Sequence, residues 1–93
     1  MNAMGSVWIK TDGTRQVVKP KNGKDFKLEE LQGFVGGLIE LVYLNNKRVM
    51  VVNEEGLVYD LPFNELASDC CQVAGVDTLI FGDVLVCDSK LIK

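Results

Sequence analysis

The sequence predicts an α+β domain: a mainly antiparallel sheet of about five to seven short strands with two short helices. Hairpin signals recur along the chain, at Asp12-Gly13 and again at Asn45-Asn46. Two stretches, after Asp25 and after Asn64, place apolar residues at helical spacing. No strand–helix–strand unit is long enough for a parallel crossover. The chain has 93 residues, 47% of them apolar, which supports one domain over residues 1–93 built on one core.

The elements follow in order. Residues 6–11 read as a strand, with Val7 and Ile9 on one face and Trp8 and Lys10 on the other. Asp12-Gly13 turns the chain back into residues 14–19, and Pro20, which has no N–H to donate, ends that strand. Asn22-Gly23 is a further turn or hairpin tip. Asp25 is expected to cap a helix whose apolar stripe is Leu28, Leu31 and Phe34 or Val35, and Gly36-Gly37 closes it. Residues 38–44 are almost continuously apolar, broken by Glu40, as in a buried central strand. Asn45-Asn46 supplies a two-residue turn into residues 48–52, a second central strand.

After the polar turn Asn53-Glu54-Glu55-Gly56, residues 57–61 are expected to form another antiparallel strand, stopped by Pro62. Asn64 caps a short helix over residues 64–71 with Leu66, Ala67 and Cys70 inward, and Gly75 releases it. Residues 78–81 and 84–87 flank Gly82-Asp83. They are expected to form one strand bent at the glycine in preference to a tight hairpin. In the tail, residues 90–93, Leu91 and Ile92 are available for packing.

Charge is unevenly distributed. Residues 1–27 carry six Lys/Arg against two Asp, whereas residues 28–93 carry four against eleven Asp/Glu, giving −3 overall. A basic hairpin region therefore sits on an acidic body. Trp8, Lys10, Arg15, Lys19, Lys21 and Lys24, with Lys27 beyond, are the residues that would touch a nucleic acid or other polyanion. No zinc-finger, helix-turn-helix or RNA-binding signature accompanies them, so a solvated hairpin face is the favoured reading.

The common chemistries find little to work with. Without histidine the chain lacks the commonest general base and zinc ligand. Cys70, Cys71 and Cys87 are odd in number, include a vicinal pair and lack the spacing of a zinc site, so free thiols in a reducing, cytoplasmic setting are expected. Asp77, Asp83 and Asp88 are too far apart for a calcium loop. The glycines of residues 33–37 end a helix instead of opening one, which does not suit phosphate. No run reaches the roughly 18 apolar residues of a membrane span, and residues 1–6 do not read as a secretory signal. No catalytic residue, cofactor or metal is expected.

A set of motifs in residues 28–86 is more distinctive in combination than singly: Val35-Gly36-Gly37 with Ile39-Glu40, then residues 49–56 reading VMVVNEEG, then Leu61-Pro62 with Asn64 and Ala67, then Gly82-Asp83-Val84-Leu85-Val86. In this order they resemble a family of small domains of unknown function found in bacteria, phages and other mobile elements. The resemblance implies a family-like core over residues 28–93, an N-terminal elaboration over residues 1–27, and a mobile-element setting without a stated activity. Among the motif residues, Glu40, Asn53, Glu54 and Asn64 are polar groups beside apolar strands, and they form the candidate interaction site. Arg48 is the expected partner of Glu40. The functional expectation is a small non-enzymatic accessory protein with an unknown protein partner or a second copy of itself. Nucleic acid is the alternative partner, and no membrane is expected.

Overall fold

The computed structural model describes residues 5–45 and 47–92. Five strands, β1 (Ser6–Ile9), β2 (Arg15–Val18), β3 (Ile39–Tyr43), β4 (Arg48–Asn53) and β5 (Val84–Asp88), form one sheet in the order β2-β1-β5-β4-β3, with every neighbouring pair antiparallel. Two helices, α1 (Leu28–Val35) and α2 (Glu65–Val73), complete the α+β architecture.

The two helices lie on opposite faces of the sheet, so the expected single core is two. Strand side chains alternate between faces. Val49, Val51, Leu85 and Cys87 point to the α1 side and pack with Phe26, Leu31 and Val35. Met50, Val52, Val84, Val86 and Ile9 point to the α2 side and pack with Ala67, Cys71 and Ile80. A strand covered on both faces must be apolar at every position, which is why residues 49–52 and 84–87 are unbroken apolar runs. Burying each such side chain contributes about 1.5–3 kcal/mol.

Local chemistry explains the ends. Lys10 N–H donates to Thr14 O (2.9 Å) and Gly13 takes φ +91°, closing the β1–β2 hairpin as Asp12-Gly13 predicts. Gly36, at φ +80°, ends α1 with its N–H on Gln32 O at 2.7 Å. Asn64 caps α2 as expected.

Several expectations are corrected. Asp25 does not cap α1. The cap position is Lys27, whose N–H is taken by the Glu30 carboxylate (3.0 Å), while Asp25 is buried and accepts from the Asn22 amide (3.0 Å). The helix starts late because Phe26 is buried and its N–H is held by Leu91 O at 2.9 Å. Asn22-Gly23 is accordingly a turn and not a hairpin tip, with Gly23 N–H on Pro20 O (3.1 Å).

Strand β3 is an edge strand, not a central one, because β5 enters between β1 and β4. The β3–β4 turn runs through Lys47 at φ +61°; the other half of the expected Asn45-Asn46 pair, Asn46, lies outside the described residues.

Residues 57–61 form no strand. The chain coils through consecutive turns from 54 to 60, with Asp60 at φ +56°, and leaves Leu57, Val58 and Tyr59 exposed. Residues 78–87 are not one bent strand either. Only Val84–Asp88 is regular, and Phe81 makes an isolated bridge to Phe63. On α2 the inward cysteine is Cys71, while Cys70 is exposed. Leu91 and Ile92 do pack, against the α1-side cluster.

Candidate functional site

The loop after β4 is built onto the segment that precedes β5. Leu61 N–H returns to Gly56 O (2.9 Å), Gly82 N–H donates to Pro62 O (2.8 Å) and Asn64 N–H to Ile80 O (2.8 Å). Phe63 and Phe81 meet edge to face at 5.7 Å. Gly56 lies so close to Phe81 that a Cβ there would stand 2.7 Å from the Phe81 carbonyl oxygen. These contacts fix a shallow depression of about 180 Å³ on the α2 side of the β3–β4 edge. Val52 and Ile80 form its floor, Leu57 and Leu79 its apolar rim, and Glu40 and Glu54 its acidic border.

The four candidate interaction residues divide. Glu40 and Glu54 are both exposed and both line the depression. They come together because Glu54 N–H donates to Leu38 O (2.8 Å), which continues the β3–β4 ladder into the loop. Asn53 also borders it, but its amide is buried and turned to α1: Nδ2 donates to Val35 O (3.1 Å) and Oδ1 accepts from Glu55 N–H (2.8 Å). Asn64 is not there. Its side chain is wholly buried at the start of α2, where Oδ1 accepts from Ala67 N–H (3.0 Å) and Nδ2 donates to Ile9 O (3.1 Å) and Gly82 O (2.9 Å). The expected Glu40–Arg48 pair is absent by register. Glu40 stands opposite Val52, while Arg48 stands opposite Asp88 and donates to Gly5 O (3.3 Å).

The basic hairpin residues do not share one face. Trp8 belongs to the α1 side; its indole N–H donates to Phe34 O (3.0 Å) and its ring meets Phe34 at 5.2 Å. The Lys10 ammonium lies 4.1 Å from the Trp8 ring centroid, a cation–π contact. Arg15 stands opposite Ile9, on the α2 side. Lys21 is tied to α1 through its N–H on Glu30 (3.0 Å), and Lys24 N–H is held by Asn22 (2.8 Å). Lys19 is exposed just past β2. The two amide donations from Lys27 and Lys21 hold the Glu30 carboxyl below its ordinary range.

The cysteines differ by environment. Burial pushes the Cys87 thiol up to about 11 and also raises Cys71, which lies 3.9 Å from the Met50 sulfur. Among the described residues no group of three or more Cys, Asp or Glu is placed to hold a metal ion, and no helix is long and apolar enough to cross a membrane.

Sequence reasoning missed two features. One is the exposed Leu57–Val58–Tyr59 surface, which the apolar character of the run disguised as a strand. The other is an open groove of about 470 Å³ beside α2, lined by Val7, Ile9, Leu66 and Val73 and bordered by Arg15 and Cys70. It joins residues from distant segments and has no local signal.

A family model for a domain of unknown function, DUF3846, matches residues 6–90, so the match takes in the basic hairpin that the motif resemblance left outside. No curated protein and no solved structure matches the chain.

Proposed function

The chain belongs to the DUF3846 family, and from that premise we propose that it is a small, non-enzymatic accessory protein that docks a protein partner at the acidic depression. The observation that carries this reading is the exposure of Leu57, Val58 and Tyr59, at 73%, 78% and 64%, on a loop tied down at both ends. Large apolar side chains held in water beside a concave surface suit an interface. Glu40 and Glu54 on the border favour a partner that presents an apolar side chain flanked by Lys or Arg. The phage or mobile-element setting rests on the order of the sequence motifs, and the cytoplasmic setting on three cysteines without a disulfide framework.

Polyanion binding has less support. Trp8 spends its ring and indole N–H on packing, and Lys10 and Arg15 serve opposite faces of the sheet.

An immobilised peptide library with apolar centres and either basic or acidic flanks tests the reading. The native protein is expected to retain basic-flanked peptides, and a Glu54→Lys/Leu57→Ser variant to lose about tenfold in affinity. Preference for acidic flanks, or equal retention by the variant, contradicts it.

A further inference from the structure

The two edges of the sheet are not equivalent. Strand β2 carries Arg15 and is followed by Lys19 and Pro20, the features that discourage edge pairing. Strand β3, reading Ile-Glu-Leu-Val-Tyr, has no lysine, arginine or proline, and among the described residues no strand lies outside it. Its Tyr43 is 66% exposed.

The hydrogen-bond phase of β3 is set by its two ends. Leu38 O accepts from Glu54 N–H, and Leu44 N–H donates to Arg48 O (2.9 Å). Antiparallel ladders alternate, so the even-numbered residues between them bond inward to β4. The N–H and C=O groups of Ile39, Leu41 and Tyr43 therefore point outward. This set is symmetric about Leu41.

We propose that a second copy of this chain pairs antiparallel along β3, with Leu41 opposite Leu41 and Ile39 opposite Tyr43 of the other copy. Every outward backbone group of the strand then finds a partner, and two five-stranded sheets become one. Each Tyr43 ring gains a β-branched neighbour, a favoured cross-strand pair. A strand of unrelated sequence could bond to the same backbone groups, but the two-fold symmetry closes the edge on both chains at once and leaves no further strand to add. On the opposite face each Glu40 stands across from Val42 of the other copy. The two Glu40 residues become diagonal neighbours, about 7–8 Å apart. Glu40 and Val42 also wall the acidic depression, so the two depressions meet across the axis. The pairing does not depend on the docking proposal, since it rests on the backbone edge alone.

Sedimentation equilibrium of the full chain up to about 1 mM tests the pairing. A concentration-dependent dimer is expected. Tyr43→Lys, at an exposed position, is expected to raise its Kd at least about tenfold, and Glu40→Gln to lower it by up to about fivefold by removing the diagonal repulsion. Mixing Glu40→Lys with native protein is expected to yield heterodimer above the statistical half by native mass spectrometry. A monomer at all concentrations, or a dimer indifferent to Tyr43→Lys and to both Glu40 variants, overturns the proposal.

Discussion

Asn64 is fully buried and uses both ends of its amide: Oδ1 begins α2, and Nδ2 ties the end of β1 to the turn before β5. Asn64→Ala removes a cap and takes an amide donor away from two buried carbonyl groups, so it is expected to cost about 2–4 kcal/mol in urea unfolding. Asn64→Asp separates the two roles. It keeps the acceptor for Ala67 N–H but turns a carboxylate oxygen toward two carbonyl oxygens. It is therefore expected to restore no stability relative to Asn64→Ala at neutral pH, and a full rescue would mean that capping is the whole of its contribution.

Cys87 makes a second prediction. Its thiol is held by burial at about 11 against an ordinary 9.0, partly offset by Arg48. Between those values the unfolded chain has released the proton and the folded chain has not, so stability falls as pH rises from about 9 to about 11. Urea titrations across that range are expected to show a shallower alkaline decline for Cys87→Ala than for the native chain.

At the level of elements, legibility follows the range of the interactions. The Asp12-Gly13 hairpin, the Gly36 helix end and the Asn64 cap depend on neighbours within a few residues, and each is plain in the sequence. The double-sided apolar runs of β4 and β5 likewise report burial on both faces. The placement of β3 at an edge is a different matter. It depends on β5, which begins only at Val84, inserting between β1 and β4. Nothing within residues 38–44 encodes that choice.

The loop from 54 to 60 shows the same limit. Leu57, Val58 and Tyr59 have strand-forming side chains, but the chain must curl to bring Gly56 against the Phe81 carbonyl. Gly56→Ala places a Cβ in that contact and is expected to cost about 1–3 kcal/mol. Hydrogen exchange should then quicken at the Leu61 and Gly82 amides more than in β4 or β5, and uniform quickening would argue against a separately anchored loop.

For the whole molecule, the sheet consumes most of the chemistry that a site could have used. Asn53 and Asn64 looked like site residues because they are polar beside apolar strands. Both are instead spent on joining layers, Asn53 to α1 and Asn64 to α2 and the β1 end. Glu40 and Glu54 remain free to face water, and only the β3–β4 register, continued by the Leu38–Glu54 bond, brings them to one border. That convergence is readable from sequence once the hairpin register is known.

Backbone amide chemical-shift mapping, titrating a basic-flanked apolar peptide into the labelled protein, tests this account most directly. The expected result is saturable shifts confined to Glu40, Glu54, residues 56–59 and Leu79. Shifts centred on the basic residues 15–24, or on the groove beside α2, would contradict it.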